Sequence, residues 1–176
     1  MFPKEKSYKL LIQQSIQQLR LVSEHIEIIR KEMNGLASTL PEYETVMSMY
    51  GVGETYGPQL IAEIGDVSRF THREAITAFA GVDPGVNESG QFMQRSNRAS
   101  KNGSTRLRKT LFQVMSTYLK NKPVNEPVYQ FLDRKRAEGK PYLVYMTAGA
   151  NKFLRIYYGR VKECLRNLEQ SQIEEF

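Results

Sequence analysis

The sequence predicts an all-α protein, a long N-terminal coiled-coil helix followed by a compact helical domain. Three observations predict it. Apolar side chains recur every seven residues through the first part of the chain; segments with helical spacing, closed by glycine, then follow one another from Tyr43 onward; and two-residue alternation is absent except for a short hairpin around Gln91 to Gln94. The division falls near residue 40, giving 1–40 as an oligomerisation helix and 41–176 as the helical domain.

Ile12, Leu19, Ile26 and Met33 stand seven apart, and Tyr8, Ser15, Val22, Ile29 and Leu36 fill the offset positions, with Ser15 the polar exception. Such a pattern forms a coiled-coil seam. Gly35 and Pro41 end it, so the helix is expected from Lys4 to Ser38, about 50 Å long at ~1.5 Å per residue. An apolar stripe of that length needs cover, either from a second copy of the chain or from the rest of the same chain in a bundle.

Next, Val46, Met47, Met49 and Tyr50 lead into Gly51-Val52-Gly53, with Leu60-Ile61-Ala62-Glu63-Ile64 behind. The pattern resembles a helix-hairpin-helix motif. Gly51 and Gly53 are nucleic-acid-binding candidates there, because a turn without side chains lets a phosphate reach backbone N–H groups at a helix N-terminus. A plain tight turn explains the same glycines. Pro58 is expected within the first turn of the second helix, where its missing N–H costs least.

Thr71-His72-Arg73-Glu74 has the form of a capping box, so Thr71 is expected to start a helix through Ala80 that ends at Gly81. Ser104 is the expected N-cap of a helix from Thr105 to Leu119, and Pro127 opens another, Val128 to Glu138. In the last helix, Tyr142 to Gln170, the residues Leu143, Met146, Ala150, Phe153, Leu154, Tyr157, Val161, Cys164 and Leu168 are expected core positions.

Charge narrows the function. The chain carries 25 Lys and Arg against 19 Asp and Glu, a net +6, and the excess is local. Between Glu88 and Glu126 there is no acidic residue but eight bases, and residues 101 to 150 hold ten bases and three acids. A field this one-sided suits a polyanion, with a solvated basic surface as the plain alternative. Arg95, Arg98, Lys101, Arg106, Arg108 and Lys109 are the candidate nucleic-acid-binding residues; Arg106 and Lys109 share one helix face. One hydroxyl, Ser89, stands at the edge of this field between Gly85 and Gly90.

A hydrophobic content of 40% over 176 residues is enough for a packed core. No apolar run approaches the ~20 residues that cross a bilayer, and Met1-Phe-Pro-Lys-Glu-Lys is not the start of a signal peptide. A cytoplasmic protein with no membrane partner is expected. With Cys164 the one cysteine and His25 and His72 the two histidines, no disulfide forms within the chain and no metal site is expected in it.

In chain order, Gly51-Val-Gly53, Ile61-Ala-Glu-Ile-Gly-Asp66, Arg69-Phe70, Phe79-Ala-Gly-Val-Asp-Pro84, Ser89-Gly90, Ala99-Ser-Lys-Asn-Gly103 and Leu107-Arg108 resemble the C-terminal transposase domain of the insertion-sequence one-ten family, the serine-dependent DEDD transposases also called bridge recombinases. The likeness runs from about Leu40 to Leu168, with the coiled coil resembling the family's linker. It implies that Ser89, before the glycine of the Ser-Gly step, is the catalytic serine that attacks a phosphodiester in DNA transposition. It also implies an N-terminal RuvC-like domain holding divalent metal (Mg), and a structured guide RNA beside DNA as partners. These residues leave no room for that domain. The chain is therefore expected to be part of a larger or split recombinase, to hold no cofactor itself, to be inactive alone, and to form a homo-oligomer through its coiled coil.

Other readings stay open on the residues alone. Ser89 beside Gly90 suits a turn cap. The whole suits a non-catalytic helix-hairpin-helix DNA-binding module of a repair or junction-processing protein, or a coiled-coil oligomerisation domain whose basic surface meets RNA.

Overall fold

The computed structural model describes residues 4–84, 88–89, 92–93 and 99–174. The described chain is helical apart from one two-residue ladder, and it divides into two units, Met1–Leu36 and Ala37–Phe176. The all-α expectation holds.

Helix α1 (Lys4–Ala37) supplies the first unit. It runs unbroken through the heptads, and Arg30 and Glu27 pair along it at 2.6 Å. Its seam lies open: Leu19 and Leu36 are each 71% exposed. Tyr8, Ile12, Val22, Ile26 and Ile29 are exposed as well.

The second unit holds α2 (Tyr43–Met47), α3 (Gly53–Ile64), a 3-10 turn (Val67–Arg69), α4 (Arg73–Ala80), β1 (Glu88–Ser89), β2 (Phe92–Met93), α5 (Thr105–Asn121), α6 (Pro127–Ala137) and α7 (Tyr142–Glu174). Packing is centred on α7, which lies against α2, α4, α5 and α6, while α3 packs on α2 and α5. From α7, Met146, Ala150, Phe153, Leu154, Tyr157 and Val161 are buried, and they meet Leu107, Leu111, Val114 and Met115 of α5, Ile76 of α4 and Leu132 of α6 in one core. Each large side chain so placed contributes about 1.5–3 kcal/mol. The expected core stripe of α7 is too long at both ends, because Leu143 and Leu168 are exposed and Cys164 is half-buried. Helical spacing gives the face of a helix but not where its neighbours stop.

Caps match the expected chemistry at most ends. Ser104 accepts a hydrogen bond from the Leu107 N–H at 3.1 Å, Pro127 occupies the first turn of α6, and Gly81 closes α4 in the left-handed region at φ 65°. Two expectations fail. His72, not Thr71, caps α4: its backbone is extended and its Nδ1 accepts the Ala75 N–H at 3.2 Å, so the ring does the work assigned to the threonine hydroxyl. Pro58 lies in the sixth position of α3 rather than its first turn. The ring is buried there, and the Glu54 carbonyl it leaves without a helical donor belongs to an exposed residue that water can reach.

The expected hairpin is present as a minimal antiparallel ladder, with Glu88 opposite Met93 and Ser89 opposite Phe92. Gln91 and Gln94 lie outside the described residues.

A glycine makes room for two neighbouring helices against α7. A Cβ on buried Gly149 of α7 would strike Leu132 of α6 and come within 3.0 Å of the Met115 sulfur of α5, whereas Gly159, on the same helix, has nothing within 4 Å of that position. Gly149→Val is expected to lower stability by about 1–3 kcal/mol through overpacking, and Gly159→Ala to raise it by about 0.5–1 kcal/mol through helix propensity. Urea unfolding of the two variants checks the pair.

Candidate functional site

The sequence-predicted site residues fall on three structural features: the turn before α3, the N-terminal half of α5, and the excursion that joins α4 to α5. In the first, Gly51 and Gly53 both have left-handed backbones, φ 77° and 56°, and flank Val52, which is 2% exposed. An apolar plug anchors the turn while two glycines bend the chain around it. Tyr118 of α5 lies against Gly51 and meets the Tyr50 ring at 5.1 Å, tilted by 49°. Burial holds the Tyr118 hydroxyl proton on well above the usual tyrosine range. The first turn of α3 carries Glu54, whose charge favours the positive helix end that a phosphate would otherwise occupy.

On the second feature, Lys101, Arg106 and Lys109 are exposed. Lys101 has a left-handed backbone, φ 54°, a conformation that L side chains seldom adopt, directly before α5. Arg108 differs from its neighbours. It is half-buried, and its Nη1 donates to the Ala80 carbonyl at the C-terminal end of α4, 3.1 Å away. The guanidinium is thus tied to the protein's own backbone, while Arg106 and Lys109 face solvent. Arg95 and Arg98 lie outside the described residues.

The third feature carries Ser89, placed by β1 opposite Phe92. Both ends of the 84–99 excursion are pinned. Pro84 and Ala99 form an antiparallel bridge, the Ser100 N–H donates to the Asp83 carbonyl at 3.0 Å, and the Ser100 hydroxyl donates to Asp83 Oδ1 at 2.5 Å. The Lys101 N–H reaches the Gly81 carbonyl at 3.3 Å and the Ser104 N–H the Phe79 carbonyl at 2.7 Å, and Asn151 of α7 donates through Nδ2 to the Val82 carbonyl at 3.3 Å. Ser104 also donates to Glu63 of α3 at 3.2 Å, so a carboxylate already sits at the N-terminus of α5.

Sequence reasoning singled out the cations but missed several of their engagements. Arg69 lies over the rings of Phe70 and Phe79, at 4.6 and 4.5 Å. Arg155 of α7 pairs with Glu74 of α4 at 2.9 Å, and that carboxyl titrates below its usual range, first because Arg73 also donates to it. A further basic group, Arg134, Lys135 and Lys152, gathers around the Phe131 ring within 5.9 Å, with Lys135 also held by Glu138 at 2.8 Å. Asp133 and Glu138 interrupt that group in sequence, which hid it in a count of acid-free runs. Among the described residues, no three His, Cys, Asp or Glu side chains gather as a metal-binding group, and no helix is long and apolar enough to cross a membrane.

Comparison with known proteins bears on the same features. Residues 43–130, which span the glycine turn, the Ser89 excursion and α5, match the transposase family IS116/IS110/IS902. The insertion element IS110 uncharacterized 43.6 kDa protein of Streptomyces coelicolor is similar at 23% identity over 145 residues, covering 82% of this chain and 35% of the relative. The chain thus spans about a third of the length of that relative. With half of its residues matching one family, and the matched half holding every candidate site residue, the chain belongs to the transposase family IS116/IS110/IS902.

Proposed function

We propose that this chain is the part of a DNA transposase that grips DNA and supplies Ser89 as the nucleophile for strand cleavage and exchange. The observation that carries the reading is the family match across residues 43–130, within which Ser89-Gly90 leads directly into the cations Lys101, Arg106 and Lys109. In the step envisaged, the Ser89 oxygen attacks a backbone phosphorus, its proton passes to a base, the phosphodiester bond to the departing strand breaks, and a phosphoserine link remains for the second strand to reverse. Exposed cations stabilise the charge that builds on the attacked phosphate.

A serine hydroxyl is a weak nucleophile near neutral pH. His72, which spends its Nδ1 lone pair on the Ala75 N–H as a helix cap, is no ready base. The activating group is assigned to the RuvC-like acidic domain expected from the resemblance. Structured guide RNA is the second proposed nucleic-acid partner. An auxiliary helix-hairpin-helix phosphate contact at the Gly51–Gly53 turn is supported at Gly53, where nothing stands within 4 Å of the Cβ position, while Gly51 lies against Tyr118 and Glu54 opposes a phosphate.

The open seam of α1 supports self-association. Apolar side chains at heptad spacing stay in water on the single chain, and a second copy offers the same stripe in matching register.

Three outcomes test this reading. Arg106→Glu with Lys109→Glu is expected to weaken duplex DNA binding about tenfold or more and to flatten its dependence on salt by a log–log slope of about two; unchanged binding across salt titrations refutes the basic interface. Ile26→Asp is expected to turn an oligomer into a monomer by light scattering at micromolar concentration, because it buries an unpaired charge in the seam. In the chain joined to its acidic domain, with magnesium and guide RNA, Ser89→Ala is expected to keep nucleic-acid affinity within about twofold yet to abolish the protein–DNA adduct. An adduct that persists in the alanine variant, or maps to Ser96 or Ser100, removes Ser89 from that role.

A further inference from the structure

A second basic surface lies beyond residue 130, outside the stretch that matches the family. On it the Arg134 guanidinium carbon stands 5.3 Å, the Lys135 nitrogen 5.9 Å and the Lys152 nitrogen 5.1 Å from the centre of the half-buried Phe131 ring. Lys140 belongs to the same field. The Glu138 carboxyl titrates below its usual range, first through the hydrogen bond from Lys135 and further through the charges of Lys135, Lys140 and Arg134. Helical spacing turns Asp133 to the opposite side of α6, and neither Arg134 nor Lys152 forms an ion pair with a carboxylate among the described residues. Like charges so gathered repel, and the negative end of the α6 dipole accounts for those in its last turn. It does not account for Lys152, which comes from the body of α7 and is half-buried.

Aromatic side chains continue this surface toward the start of α7. Tyr145 stands seven residues before Lys152, hence on the same face of the helix, and its ring meets that of Tyr142 edge-on at 5.4 Å. Tyr142 is 51% exposed and follows Lys140 by two residues. Cations interleaved with open aromatic rings are the two parts of a single-strand site: phosphates meet the charges, and unpaired bases stack on the rings. A duplex keeps its base faces stacked inside, and an acidic peptide would leave the rings unused. We propose that the α6–α7 hairpin binds single-stranded DNA, with Arg134, Lys140 and Lys152 on its phosphates and Tyr142 under a base. From Tyr142 to Lys152 the helix offers about 15 Å, which suits a site of about four nucleotides or more. The choice of DNA rests on the reading of the chain as part of a DNA transposase, since cleavage and exchange leave unpaired strands beside the cut.

The test uses the whole chain and a fluorescent poly-dT oligonucleotide of about 16 nucleotides, with binding read by anisotropy rather than by DNA cleavage. Arg134→Ala with Lys152→Ala is expected to weaken binding about tenfold or more and to lower the log–log salt slope by about 1.4, the value for two phosphates of a single strand. Tyr142→Ala is expected to weaken binding about fivefold or more with the slope unchanged, and Tyr142→Phe, which keeps the ring, to bind as the native chain does. Tyr142 lies at the surface, so its two variants decide the matter even if the double variant unfolds. Arg134→Ala with Lys152→Ala is expected to weaken poly-dT binding more than duplex binding, and Arg106→Glu with Lys109→Glu the reverse. If the α5 variants leave duplex binding unchanged, that earlier interface falls while the poly-dT result still decides this one. Unchanged poly-dT binding in Arg134→Ala with Lys152→Ala, or an equal loss on duplex, overturns the proposal. So does a loss in Tyr142→Phe equal to that in Tyr142→Ala, tighter binding of the matching oligo-U RNA, or displacement by polyglutamate as effective per charge as by poly-dT.

Discussion

The burial of one face of α7 is the constraint on which the rest of the second unit depends. Met146, Ala150, Phe153, Leu154, Tyr157 and Val161 are all within 1% of full burial, and α2, α4, α5 and α6 all pack on this helix. Gly149 lets α5 and α6 approach where a side chain would hold them off. Once α4 and α5 are fixed against the same pillar, the C-terminus of one and the N-terminus of the other are brought together. Only then can Arg108 reach the Ala80 carbonyl and Ser100 reach Asp83. The joint between α4 and α5 is thus a consequence of packing that begins more than thirty residues further along the chain.

This ordering explains what was legible in the sequence. Local rules operate over three or four residues, so Ser104 as an N-cap, Gly81 as a left-handed C-cap and Pro127 at a helix start could each be read from neighbours alone. The same rules erred where two adjacent residues could do one job, as with Thr71 and His72, since the backbone conformation that decides between them is set by how α4 docks. Contacts such as Arg108 to Ala80 and Asn151 to Val82 join residues 28 and 69 apart, and no pattern within a window can announce them. Family resemblance supplied the identity of Ser89 as a candidate, but not the bonds that join Asp83 to Ser100 and Arg108 to Ala80.

The basic residues illustrate the same limit from the side of electrostatics. Counted along the chain, Arg106, Arg108 and Lys109 are equivalent charges. In the folded unit, Arg106 and Lys109 remain in solvent, whereas Arg108 has exchanged water for a backbone carbonyl. Arg69 lies on two aromatic rings and Arg155 is paired with Glu74. A guanidinium presents several donors in a rigid fork, which suits it to stitching elements together as well as to gripping phosphate. Charge in a sequence therefore bounds the number of phosphate contacts from above.

That bound bears on the proposed nucleophile as well. A nucleophile buried in a core has its position fixed by packing, but it cannot admit a DNA strand; one on an excursion can, and its position must come from elsewhere. The ends of the 84–99 segment are pinned, by the bridge of Pro84 with Ala99 and by the bond of Ser100 to Asp83. The groups at this joint are engaged with one another, Ser100 with Asp83 and Arg108 with the Ala80 carbonyl, while Lys101, Arg106 and Lys109 are exposed. The residues that join α4 to α5 and the cations that stay in solvent are thus different residues, so a change in one set need not disturb the other.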